Sequence, residues 1–202
     1  MASFAPKGRP CTIATQRTVA HPPVFRVSDM HAGPREDRVR YRSPMARKDI
    51  SMTDEEVTAF LNETSILQVA TIGRDGAPHL APMWFVMDGD SIVFRSFTRS
   101  QKIVNLVRDP RLTVLTEDGD AYAELRGVMI KAEARLVDDP AYVLGIYGRL
   151  AAKYTIVGDA PTELSSEDLE AAFGRAASKN TAVIVEPITV ASWDHRKLGG
   201  AY

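Results

Sequence analysis

Two Asp-Gly steps punctuate the run "ILQVATIGRDGAPHLAPMWFVMDGDSIVFRS", residues 66–96, and they constrain the fold more than any other feature of the chain. Each lies between stretches rich in β-branched, aromatic and other apolar residues, and Asp-Gly suits the left-handed backbone of a tight hairpin turn. The spacing predicts three consecutive antiparallel strands over 66–73, 78–87 and 91–96. Pro78 and Pro82 have no N–H to give to a ladder, so the second strand is expected at a sheet edge, or paired on one side only around Pro82.

The flanking segments extend this meander. "TDEE" at 53–56 offers a capping box, with the Thr53 hydroxyl accepting from the Glu56 amide and the Glu56 carboxylate reaching back. A short helix should follow with Val57, Phe60 and Leu61 buried. After the third strand, "SQKIVNLVRD" switches to helical spacing, with Ser100 as candidate N-cap and Ile103, Leu106 and Val107 as the apolar face. Strands are expected over 112–117 and about 121–137, the latter alternating as a half-buried antiparallel strand does, with Gly127 a candidate bulge. Helices over 140–155, opened by Pro140, and about 166–177, opened by "SSED", precede a nearly all-apolar strand, 181–193, expected at the sheet centre. Residues 194–202 read as a polar tail. Six short antiparallel strands with few helices predict a mainly β fold, a small six-stranded barrel with peripheral helices.

Composition divides the chain. Residues 1–48 are rich in Pro and Arg and carry ten Lys/Arg against three Asp/Glu, leaving fifteen against twenty-three for the remainder. The first 48 residues contain too few large apolar side chains to offset ordering entropy and are expected to be a disordered basic extension; 49–202 forms the domain. A basic tail can bind nucleic acid nonspecifically, but no interleaved aromatics support that reading. A single cysteine, Cys11, fits a reducing compartment, and no apolar run approaches the roughly 18 residues of a membrane helix, so a cytoplasmic protein without membrane contact is expected.

Familiar catalytic signatures are missing: no G-x-G-x-x-G after a strand, no Walker loop, no H-E-x-x-H and no G-x-S-x-G. No metal site is expected, and His79, on a strand edge between prolines, reads as a satisfied structural histidine. The informative segment is "RSFTRSQK", residues 95–102, with Arg95, Arg99 and Lys102 in eight positions and hydroxyls at Ser96, Thr98 and Ser100. The free amides and dipole of a helix starting at Ser100 favour an anion, whereas Lys102 in its first turn opposes that dipole. Spacing alone fits two arrangements equally: a phosphate site, or a solvated face on which a surface carboxylate neutralises Lys102.

The order of elements, together with "VATIGRDGAPHLAPMWFVMDGDSIVFRS", "SQKIVNLVRDPR" and "SWDHRKLGG", resembles the pyridoxamine 5'-phosphate oxidase-like superfamily of split β-barrel flavin and deazaflavin proteins. The resemblance spans about residues 50–137 well and 180–200 more loosely. It implies a homodimer with cofactor sites at the subunit interface. Oxidases of this kind hold the FMN phosphate with an Arg and a Lys on the second strand and a Ser-Arg-Lys triplet before the helix. Ungapped alignment puts Leu80 and Phe85 at the first pair and Ser100, Gln101 and Lys102 on the triplet, so most of those cations are lost. The pattern is more similar to the branch using the deazaflavin coenzyme F420. That resemblance implies hydride transfer to an unsaturated, hydrophobic or conjugated small molecule. It assigns Arg95, Ser100 and Lys102, with Gln101, to anionic groups of the cofactor and Ser96 and Thr98 to polar contacts. Pro82, Met83 and Trp84 fall beside the ring, with one of Trp84 and Phe85 in the core and the other at the site. No catalytic proton donor is identified. An FMN-binding oxidoreductase and a noncatalytic split-barrel protein carrying a cofactor or haem are the alternatives. The composition of the extension predicts that removing residues 1–44 leaves the unfolding temperature unchanged in a thermal melt; a large drop would make the extension part of the fold.

Overall fold

A computed structural model describes residues 50–199; the expected disordered extension lies outside them. The elements run α1 (Asp54–Glu63), β1 (Leu67–Ile72), β2 (Pro78–Met83), β3 (Val86–Asp88), β4 (Ser91–Phe97), α2 (Gln101–Arg108), β5 (Arg111–Asp118), β6 (Arg126–Val137), α3 (Pro140–Lys153), α4 (Ser166–Ala177) and β7 (Asn180–Asp194). All strand pairs are antiparallel, in one sheet of order β2-β1-β5-β6-β7-β4-β3.

Seven strands rather than six arise because the segment expected as one strand, 78–87, is shared between the two edges of the sheet. Its first half, β2, pairs with β1, and its second, β3, pairs with β4. Only Trp84 and Phe85 separate them, so the edges approach within the reach of three residues, about 11 Å. The sheet curls into a barrel that is split at this point. Pro78 and Pro82 do lie on an edge strand, where a missing N–H breaks no ladder.

The hydroxyl of Tyr154, just past α3, occupies the split. It accepts from the Phe85 N–H at 3.2 Å and lies 2.8 Å from the Phe85 carbonyl and 2.9 Å from that of Ser65, which share its single proton. Backbone groups that no neighbouring strand serves are thereby satisfied.

Apolar residues form two layers. Inside the barrel Phe60, Leu67, Val69, Phe85, Phe94, Val114 and Val128 pack together; outside it Val93, Val143, Ile146, Leu150 and Ile184 pack beneath α3. β7 lies between β6 and β4 and contributes to both layers, which accounts for its nearly continuous apolar run. The Thr53–Glu56 capping box forms as its spacing requires.

Four local expectations are corrected. The long strand begins at Arg126, after a single helical turn at Tyr122–Glu124. The irregularity in β6–β7 pairing falls between Lys131 and Ala132, opposite Thr189 and Pro187, where proline has no N–H to give; Gly127 is regularly paired. Gly127 has a different role, since a Cβ there would come within 2.1 Å of the Trp193 ring. On α2 Val107 is half exposed and Asn105 is buried in its stead, donating to the Thr71 hydroxyl at 3.1 Å. Finally, the polar tail folds back: Asp194 accepts from the Arg196 amide to start a helical turn at His195–Leu198, and Lys197 reaches the Ser51 carbonyl.

Tyr154→Phe leaves the Phe85 N–H buried without a partner and is expected to cost about 1–3 kcal/mol. Urea unfolding measures this, and an unchanged midpoint would remove the hydroxyl from barrel closure.

Candidate functional site

Successive side chains of a strand point to opposite faces, and on β4 this separates two residues that the sequence places side by side. Arg95 leaves the barrel towards α3, whereas Ser96 turns towards the start of α2 and is buried. The single cationic cluster expected at 95–102 is therefore two sites.

The first is a cleft of about 340 Å³ lined by Ile66, Pro82, Met83, Trp84, Arg95 and Leu150. Trp84 stacks on Tyr154, centroids 4.8 Å apart and planes within 10°, and remains 41% exposed, while Phe85 is wholly buried. Phe85 thus belongs to the core and Trp84 to the wall of this cleft. The Arg95 guanidinium lies 4.0 Å over the Tyr147 ring, which Phe173 of α4 supports from a stacked position at 4.7 Å. It donates to the Asn180 side-chain oxygen over a long 3.4 Å, and its buried Nε has no partner. Burial pushes the Arg95 pKa down, with the Tyr147 ring acting weakly in the other direction.

The second site is the entry to α2. Ser100 occupies the N-cap position, yet its hydroxyl does not cap the helix. It lies 2.9 Å from the Ser96 hydroxyl, to which Lys102 Nζ donates at 3.3 Å. No acidic residue occupies the first turn. Burial lowers the Lys102 pKa. Neither Lys102 nor Arg95 makes an ion pair with any described residue, so the surface carboxylate that would neutralise Lys102 is not found among them. An uncapped helix start, two hydroxyls and an unmatched ammonium have the chemistry to hold an anion.

Two other candidates are engaged within the protein. The Thr98 hydroxyl donates to the Lys179 carbonyl at 3.1 Å and lies 3.0 Å from the Thr181 hydroxyl, tying the β4–α2 loop to β7. Gln101 donates to the Asn105 side-chain oxygen. Beside it His79, expected to be satisfied, keeps a buried Nδ1 without a partner. Ile66, Leu150, Tyr147, Asn180 and Tyr154 were not among the expected site residues. Tyr147 lies on the buried apolar face of α3, and only its stacking on Arg95 reveals its second use.

A family model described as pyridoxamine 5'-phosphate oxidase matches residues 53–194. The chain belongs to this family. Among solved structures, a conserved hypothetical protein from Mycobacterium tuberculosis is 34% identical, with a TM-score of 0.70, covering 78% of this chain and 94% of that one. A candidate 5-nitroimidazole antibiotic resistance protein from Bacteroides thetaiotaomicron is similar in fold at 14% identity, TM-score 0.55, covering 79% and 93%. A protein titled F420 reductase is similar at 23% identity, TM-score 0.49, covering 65% and 93%. No curated protein matches the sequence. The pyridoxamine 5'-phosphate oxidase family includes oxidoreductases that use flavin-type cofactors. Leu80 is exposed, and Phe85 is buried in the barrel core.

The unmatched ammonium makes a stability prediction. Because folding lowers the Lys102 pKa below its ordinary 10.5, charge at this position opposes folding at neutral pH, and the penalty fades as pH rises through that interval. Lys102→Met should therefore melt at or above the wild-type temperature at pH 7, with the difference shrinking towards pH 10. A lower melting temperature at pH 7 would mean that Lys102 has a compensating partner.

Proposed function

We propose that the protein is a coenzyme F420-dependent oxidoreductase, active as a cytoplasmic homodimer. The observation that carries this reading is the pairing of Leu80 and Phe85, where FMN oxidases have cations, with an unmatched Lys102 at an uncapped helix start. Charge-assisted contacts are worth about 1.5–3 kcal/mol each, so a site without the strand pair is poorly built for the compact FMN phosphate. One ammonium with two hydroxyls fits a single anionic group on a longer tail. When bound, the deazaflavin supplies the hydride chemistry, with an unsaturated organic molecule as acceptor.

The chain's own residues bind and orient. Lys102, Ser96 and Ser100 hold the anionic tail, with Gln101 and Thr98 keeping the loop and helix start in shape. Pro82, Met83 and Trp84 give the ring an apolar wall, and the stack on Tyr154 holds that wall still. Dimerisation is supported by the outer face of the sheet. Its two cross-strand rows, Pro82-Gln68-Leu115-Met129-Ala191 and Leu80-Ala70-Thr113-Lys131-Thr189, contain one charged residue, and Leu80 and nearby Ile188 are more than half exposed.

Parallel titration with F420 and FMN tests the cofactor. The protein should purify colourless, quench F420 fluorescence saturably and bind FMN more weakly. Lys102→Ala should weaken F420 binding by about 1–3 kcal/mol. Tighter binding of FMN, or an unchanged F420 affinity in Lys102→Ala, would overturn the assignment.

A further inference from the structure

Arg95 faces away from the α2 anion site, and the protein gives its guanidinium little to hold. Of five N–H donors, one makes a long contact to Asn180, Nε is buried unpartnered, and no described carboxylate pairs with the group. The position is nevertheless well defined, because the Tyr147–Phe173 stack fixes the plane on which the cation lies. Everything else lining its cleft is apolar: Ile66, Pro82, Met83, Trp84 and Leu150. A fixed, partly desolvated cation at one point of an apolar cleft is how a protein recognises an amphipathic anion, with the charge giving orientation and the walls giving affinity. Dispersed surface cations do not have this form, since water already satisfies them.

From this we infer that the Arg95 end of the cleft, bounded by Ile66 and Leu150, is the acceptor subsite, and that it selects conjugated or aromatic carboxylates, with the acid group on Arg95 and the unsaturated part along Ile66 and Leu150, facing the ring wall of Pro82, Met83 and Trp84. The proposal rests on the oxidoreductase reading for the word acceptor, but the binding claim stands on the cleft alone. It also moves Arg95 from the cofactor's tail to the substrate. Arg95 on one face of β4, and Lys102 beside Ser96 on the other, then answer two different anions.

The probes are trans-cinnamate and its neutral amide, trans-cinnamamide, titrated into the full-length protein without cofactor by ligand-observed NMR. The acid should bind at least about tenfold tighter than the amide, as one charge-assisted contact implies. Arg95→Met should bring the two to within about twofold, and Arg95→Lys should keep part of the preference. Lys102→Ala should leave cinnamate binding unchanged while weakening F420. Saturating F420 should not displace cinnamate. Equal binding of acid and amide, binding of neither at millimolar concentration, an undiminished preference in Arg95→Met, or displacement of cinnamate by F420 would each overturn the inference. Should Arg95→Met fail to fold, the comparison of acid with amide on the unaltered protein decides. A protein that binds cinnamate as expected but not F420 would refute the proposed cofactor and leave the carboxylate site standing.

Discussion

The two edges of the sheet meet at Phe85, and the hydrogen bonds that Tyr154 makes there hold the rest in place. A curled sheet that fails to close leaves two rows of unpaired backbone groups, exposed to water or to another chain. Here the chain itself joins the edges, passing from β2 to β3 through two residues, and the Tyr154 hydroxyl serves the N–H and C=O that the crossing leaves unpaired. The same tyrosine ring supports Trp84. Closure and site are thus one structure: the residue that seals the barrel also sets the wall of the cleft beside it.

This coupling explains why apolar and polar residues alternate in role so sharply over a short stretch. Phe85 must enter the barrel core to fix the crossing, which forces Trp84 outward, where Tyr154 meets it. On β4 the same alternation sends Phe94 and Ser96 inward and Arg95 outward beneath α3. The helices α3 and α4 thereby acquire a function beyond covering the sheet, since Tyr147 and Phe173 form the bed on which the guanidinium rests.

Much of the fold was legible in the sequence because it depends on local chemistry. The capping box at Thr53, the Asp-Gly hairpins, Pro140 at a helix start and the apolar run of β7 each carry their instruction within a few residues. What could not be read was non-local. Residues 78–87 have the pattern of one strand, and nothing in their order says that its halves pair with different partners. The bulge went to Pro187 rather than Gly127 because register depends on both strands, and the glycine answers a tryptophan 66 positions away. The site was the least legible: cations within eight residues look like one cluster, but Arg95 and Ser96 leave β4 on opposite faces, and Lys102 on α2 joins Ser96.

The unmatched cations also say something about how the protein responds to ligands. Folding lowers the pKa of both Arg95 and Lys102 through burial, so the chain carries two charges that its own structure disfavours. Their cost is present throughout the range where both are protonated and would be relieved only as pH approached their ordinary values. An anion bound at either place would oppose the burial penalty and raise the pKa of the cation beside it. A ligand that binds the folded chain at either place would raise fold stability with its concentration, by mass action.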